Sequence, residues 1–362
     1  MLLNYLKIAV RNLLRHKVFS LINIFGLALG MTCCILILLW VKDELSFDRF
    51  HTNLNNMYRV ISVQHYPGAD DLTIASAPGI LAPTMRAEFP EVEQSIRVED
   101  HFTSLLTHGE KALKIKGAYA DSTFFKVFSF PLRYGNADEV LNEPGSIVIS
   151  DSVALKFFGT SENVVGKVFK VDDKDTYRVT GVMKNVPANS SLQFDFVMPF
   201  SDYLKTNQWL KNWSNYGVAS YLQLKPGTDV AAFNQKIKNY TTQEGRSTRD
   251  IETFVQPVKD IHLYSDFRKG KQDSGAIIYV KVFSAVAVFI LLIACINFMN
   301  LATARSAKRA REVGIRKAIG ADKSQLVMQF LTESFRRSVR ARCVAGKRLE
   351  HFLAFFNVLK QK

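Results

Sequence analysis

Two transmembrane α-helices flanking a large extracytoplasmic α+β domain are the fold class this sequence predicts. Three observations carry it: two long, nearly charge-free runs, a stretch of roughly 235 residues between them in which short β-rich runs alternate with helical patterns, and basic residues gathered outside both runs. From Val18 to Val41 no residue is charged, and about 24 residues at 1.5 Å rise cover a hydrocarbon core of roughly 30 Å. The second run, Ala276 to Leu301, holds one lysine near its start, where a long stem reaches the headgroups.

The formal net charge of +14 is distributed by topology. Residues 1–17 carry Lys7, Arg11, Arg15 and Lys17 and no acid, and residues 305–362 carry about 15 basic against about 4 acidic side chains. Residues 18–304 are therefore close to neutral, with no basic field to attract nucleic acid. Basic flanks stay in the cytoplasm, so both termini are expected inside and the middle of the chain on the far side of the membrane. Cys33, Cys34 and Cys295 lie in the apolar runs and Cys343 in the basic tail, so the exported region folds without disulfides.

The first run is too long for the core of a cleaved signal peptide and lacks a small-residue cleavage site, so it reads as an anchor. Before it, Leu3, Leu6, Val10 and Leu13 recur at helical spacing against Asn4, Lys7, Arg11 and Arg15, a helix of residues 1–17 lying in the interface or solvated. Within the run, Gly26 and Gly30 form a G-x-x-x-G pair, which suggests the face that packs on another helix. Near the inner end of the second run, Asn297 and Asn300 are candidates for hydrogen bonds between helices.

Residues 42–275 are expected to form the extracytoplasmic domain. Strand patterns run over Tyr58–Val63, Leu113–Ala118, Ser146–Ser150, Val168–Val171, Tyr177–Met183, Phe194–Met198 and Tyr221–Lys225. Helical patterns run over Pro78–Glu88, over Asp151–Phe158 with Asp151 as N-cap, and over Asp229–Thr241. Asp172, Asp173 and Asp175 between two strand patterns read as a hairpin turn. No G-x-S-x-G, H-E-x-x-H or G-x-x-x-x-G-K-[ST] occurs, and His51, His65, His101, His108 and His262 are scattered as surface or core residues are. No catalytic, cofactor-binding or metal-ligating set is predicted.

After Leu301 strong helix formers continue to Ile319, which reads as a short cytoplasmic helix stopped by Gly320. Asp322 and Gln325 form a capping pattern for a second helix, completing a helix-turn-helix elbow over residues 302–335.

The segment CINFMNLATARSAKRAREVGIRKAIGA resembles the one that follows the second span in permeases of FtsX/MacB-type ABC transporters. SFDRFHTNLNNMYRV, GAYADSTFFKVFSFPLRYGN, SIVISDSVALKFFG, TYRVTGVMKNVPANSSLQFDFVMPF and DIHLYSD are similar to successive blocks of that family, in the same order. The resemblance implies a MacB-like domain built as a porter-like βαβ subdomain interrupted by a β-rich lobe, placed near residues 97–211. It implies further that Arg311 to Gly320 is a coupling helix seated in a groove of a partner ATPase. There Val313 and Ile319 form an apolar ridge, Glu312, Arg316 and Lys317 offer ion pairs, Gly314 permits close approach and Gly320 ends the helix, with Arg311 and Ile315 in the same coupling stretch.

The function so implied is that of a non-enzymatic permease subunit. ATP hydrolysis by a separate cytoplasmic ABC ATPase would change the shape of the exterior domain and move or release a client. A second permease copy, the lipid bilayer and a periplasmic adaptor or envelope protein are the other implied partners. A two-span receptor or a membrane-anchored adaptor for envelope factors is the alternative, and the absence of sustained heptads after the second run speaks against the receptor. After Phe335 the family continues into a third apolar span. This sequence instead has an arginine-rich tail over residues 336–362, read as a truncation or a disturbed frame, with a natural half-transporter carrying a basic tail as the alternative.

Overall fold

A computed structural model describes residues 17–243, 246–247, 250–268, 271–318, 328 and 332. The expected interfacial helix before residue 17, Gly320, the Asp322 capping pattern and the arginine-rich tail lie outside the described residues. The chain divides into two compact units, one of residues 1–43 and 278–362, the other Glu44–Ile277.

The first unit holds helix α1, Lys17–Glu44, and most of the long final helix, Ala276–Ala318. Both contain a stretch long and apolar enough to cross a membrane, Phe25–Glu44 and Ala276–Asn297. Large side chains such as Phe289 and Ile293 are exposed, as side chains facing lipid would be.

The second unit begins with β1 (Met57–Gln64), β2 (Leu72–Ile74), β3 (Ala77–Pro78), α2 (Leu81–Glu88) and β4 (Val92–His108). β5 (Lys111–Ala120), α3 (Phe124–Val127), β6 (Leu132–Tyr134), β7 (Ser146–Ser150), α4 (Asp151–Phe158), β8 (Val168–Val171), β9 (Asp175–Met183), β10 (Phe196–Pro199) and α5 (Phe200–Thr206) follow. β11 (Tyr216–Leu224), α6 (Val230–Ile237), β12 (Ile251–Pro257) and the hairpin β13 (Asp266–Arg268) and β14 (Lys271–Ser274) complete it before the final helix, α7.

One sheet of twelve strands runs through this unit. Its first part has the order β12-β1-β11-β4 with every neighbour antiparallel, and α2 and α6 make the crossovers from β1 to β4 and from β11 to β12. That is a split βαβ pair. Everything between β4 and β11 is inserted into it, and the sheet continues through the insertion in the order β5-β10-β7-β9-β6. β4 is 17 residues long, and its register shifts between Glu99 and Phe102 as it passes from one part to the other.

Three large cores and a small one of Phe200, Leu210 and Val218 fill the unit. Val60, Leu81, Met85, Leu222, Phe233 and Ile237 lie between the split pair and its helices, and Leu106, Ile147, Phe157, Phe169, Val179 and Phe196 fill the insertion. The third core belongs to both parts. Met57, Ile96, Val98, Tyr221 and Val258 pack there with Phe124, Phe128, Phe130 and Val148 of the insertion. Burying a phenylalanine contributes about 1.5–3 kcal/mol, so this shared core ties the insertion to the pair.

Several local expectations change. The cap of α4 is Ser150, whose hydroxyl accepts from Val153 N–H, and Asp151 instead binds Arg133 through Oδ2 at 2.9 Å. α2 starts at Leu81 because Ala77 and Pro78 pair with β11, and α6 stops at Ile237. Asp172 and Asp173 both take the left-handed conformation, φ 49° and 57°, in the three-residue turn 172–174 that joins β8 to β9. The separate short helix expected after Leu301 is no separate helix: α7 is unbroken to Ala318. Nothing between Ala276 and Ala318 breaks a helix, since the one glycine, Gly314, costs only about 1 kcal/mol relative to alanine.

Candidate functional site

Two constructions carry the candidate machinery: a seam between the apolar helices and a collar of polar contacts in the unit Glu44–Ile277. In the seam α1 and α7 run antiparallel. A Cβ built on Gly26 would stand 3.2 Å from Asn297 Nδ2, and one on Gly30 would stand 2.9 Å from Ala294 Cβ and 3.9 Å from Ile290 Cγ2. Further along, Trp40 and Phe283 meet edge to face with centroids 5.0 Å apart. Among the described residues of α7 the buried ones are Val280, Ala287 and Ala294, seven residues apart, the spacing of a left-handed helix pair. Small residues let the backbones approach and gain dispersion contacts. Asn300 is exposed.

The collar begins where α1 ends. Residues 46–56 form a strap bound at successive points to the insertion. Asn189 Nδ2 donates to Ser46 O at 3.1 Å and to Ser46 Oγ at 2.9 Å, and Asp48 N–H donates to Asn189 O. Asp48 is buried with φ 58°, and its carboxylate accepts from Ser191 N–H at 2.8 Å and from Ser191 Oγ at 2.5 Å. Burial raises its pKa despite these bonds, which act to lower it. His51, 4% exposed, accepts at Nδ1 from Ser129 N–H and lies edge-on to Phe128 and Phe130. Desolvation lowers its pKa to about 4, so the imidazole is neutral near pH 7. Thr52 Oγ1 and Ser129 Oγ, 2.7 Å apart, and Asn53 Nδ2 donating to Val127 O complete the strap.

The other end of the collar lies between β12 and α7. Ile277 N–H donates to Leu263 O at 3.0 Å, holding the first turn of α7 to this segment. Gly275, at φ 147°, passes so close that a Cβ there would stand 2.7 Å from Ser265 N and 2.8 Å from Leu263 O, a place only glycine fills. His262 joins the two ends. Its Nε2 is 2.5 Å from Glu44 Oε2, and its ring stacks on Phe47 with centroids 3.4 Å apart and planes within 3°.

Of the predicted site residues, Gly26, Gly30 and Asn297 come together. Arg311, Glu312, Val313, Gly314, Ile315, Arg316 and Lys317 lie on the last turns of α7 as backbone, and their side chains are outside the described residues. Sequence reasoning missed Glu44, Phe47, Asp48, His51, Asn189, Ser191 and His262. The available signal was the density of polar and aromatic residues in SFDRFHTNLNN directly after a charge-free run.

Two apolar helices joined by a split βαβ domain with a β-rich insertion define a membrane-anchored protein with a large mixed α/β domain. The MacB-like periplasmic core domain matches residues 20–240, more than half of the chain, and the FtsX-like permease C-terminal region matches residues 284–344. The chain therefore belongs to the MacB/FtsX permease family, inner-membrane proteins with a periplasmic domain. The macrolide export ATP-binding/permease protein MacB of Burkholderia pseudomallei (strain 1710b) is 24% identical over 344 residues, covering 89% of this chain and 48% of the relative. The protein of the same name from Burkholderia lata is 26% identical over 352 residues, covering 89% and 45%. The chain spans about half the length of these curated relatives. A crystallised permease-protein domain from Porphyromonas gingivalis, 20% identical, superposes with a TM-score of 0.51 over 64% of this chain and 98% of that domain, and so shares its fold.

Proposed function

We propose that this chain is a permease subunit of an FtsX/MacB-type ABC transporter, converting ATP hydrolysis on a partner ATPase into movement of its periplasmic domain. The observation that carries this reading is the continuity of α7. Its 43 residues extend about 65 Å at 1.5 Å per residue, against a hydrocarbon core of roughly 30 Å. One rod thus begins beside His262 and Leu263 and ends in the stretch Arg311–Lys317. Basic flanks orient both termini to the cytoplasm, which sets that stretch against a cytoplasmic partner.

The chemistry of Arg311–Gly320 suits a coupling helix. Charged side chains give oriented ion pairs, and glycine lets a groove wall approach. The domain boundaries follow: span 18–41, periplasmic domain 42–275 with its inserted lobe at about 97–211, span 276–301, and coupling elbow 302–335. A second permease copy covers the exposed apolar faces of the spans, and a periplasmic adaptor or envelope protein meets the domain. The relatives named for macrolide export make efflux of a client the reading for this chain as well.

The test is co-purification of the tagged chain with candidate ABC-type ATP-binding proteins from the same cells. Glu312→Ala combined with Gly314→Leu is expected to abolish recovery of the ATPase while the chain still reaches the membrane. Undiminished recovery would remove the coupling assignment.

A further inference from the structure

The two ends of the collar are held in different ways, and the difference implies a moving part. Along the strap, Asp48 is buried and doubly bonded to Ser191, His51 is buried against Phe128 and Phe130, and Ser46 is gripped by Asn189. Neither Asp48 nor His51 leaves its place without exposing core or leaving a buried polar group unpaired. The bridge from Glu44 and Phe47 to His262 is of another kind. The side chains of His262 and Glu44 are 25% and 17% exposed, so water can replace each as the other's partner. A pair of this type adds little to stability and exchanges readily. It nonetheless holds the last residue of α1 to the segment whose Leu263 carbonyl fixes the first turn of α7.

We propose that Glu44, Phe47 and His262 form a latch joining the exit of α1 to the entry of α7, closed at rest and released when the ATP-bound partner shifts the spans. The proposal rests on the permease reading above. The three are positioning residues: His262 offers Nε2 to the Glu44 carboxylate and its face to the Phe47 ring, so one side chain registers both the height and the rotation of the α1 end. Release leaves the strap and the shared core intact.

The latch is tested in membranes by Glu44→Cys with His262→Cys, in a chain whose Cys33, Cys34, Cys295 and Cys343 are alanine, co-expressed with the ATP-binding partner. A short thiol cross-linker is expected to react rapidly without nucleotide and about fivefold or more slowly with a non-hydrolysable ATP analogue, the size of an ordinary coupling between sites. Equal rates with the partner bound overturn the latch alone; failure of the partner to co-purify overturns the permease reading and the latch with it. His262→Ala supplies a second readout. It is expected to leave the melting temperature unchanged and make ATP hydrolysis indifferent to the permease, and His262→Gln, which can still donate to Glu44, restores part of the dependence. A fall in melting temperature with hydrolysis still responsive assigns His262 a structural role and overturns the proposal.

Discussion

Gly30 faces Ala294 so closely that a single added methyl group would meet the alanine Cβ at 2.9 Å. Neither a side chain nor a water fits between α1 and α7 at that level, and Gly26 stands one turn away against Asn297. The packing of the two helices is set there by the absence of atoms.

Gly30→Leu should therefore push the helices apart. Overpacking of a close contact costs about 1–3 kcal/mol, and in lipid no hydrophobic term offsets it. Thermal unfolding in detergent micelles should show a clear loss for Gly30→Leu and a smaller one for Gly26→Ala, where the neighbour is the movable end of Asn297. Equal stability of Gly30→Leu and the parent would show that the seam does not form.

His51 gives the domain an acid-sensitive anchor. Its folded pKa of about 4 lies below the ordinary 6.5, so between these values the unfolded chain binds a proton that the folded chain refuses. Stability is complete above about pH 6.5, falls as pH drops towards 4, and the whole loss, of order 3 kcal/mol, is present below that. His51→Asn, which keeps an acceptor for Ser129 N–H, should flatten this part of a melting-temperature profile. A parent profile without slope between pH 4 and 6.5 would contradict the buried neutral imidazole.

Asp48 combines a left-handed backbone with two bonds to Ser191. Asp48→Ala strains that backbone and leaves Ser191 N–H without its acceptor, a loss of about 2–4 kcal/mol. Asp48→Asn tolerates the conformation, keeps one acceptor oxygen and should cost about 1 kcal/mol. Chemical denaturation of both variants checks the order, and a harmless Asp48→Ala would remove the strap from the account.

Gly314 separates two roles for the end of α7. Gly314→Ala improves the helix by about 1 kcal/mol yet fills the space that a close partner needs. If close approach is its purpose, ATPase recovery falls although helicity rises. Gly314→Pro breaks the rod itself, and coupling should then fail however well the partner binds. Normal recovery and normal coupling in both variants would leave the glycine without a function.

Much of this architecture is legible in sequence because the relevant signals are local. Val18–Val41 announces a span without reference to any other residue, and the alternation in Val168–Val171 and Tyr177–Met183 marks the two arms of a hairpin turning at Asp172 and Asp173. β4 was missed because Glu93, Gln94, Arg97, Glu99 and Asp100 make it look like a polar loop. In the fold Arg97 is satisfied by a forked contact with Asp121, with Nη2 2.7 Å from Oδ1, and by Gly79 O. The charge that hides the strand is neutralised by residues elsewhere in the chain.

By itself the sequence determined that two stretches are long and apolar enough to span a bilayer, that basic residues gather outside both, and that a cysteine-free region lies between them. Each is a sum over neighbouring residues, and solvation acts residue by residue. Only the tertiary structure decided that His262 meets Glu44, that Asp48 meets Ser191, and that Gly30 meets Ala294. Those pairs are separated by more than a hundred residues, and nothing in a lone histidine or aspartate says which group will displace its water. A twelve-stranded sheet and one unbroken helix had to form first, because hydrogen bonds between distant groups acquire their value only when folding has removed the solvent that would otherwise satisfy them.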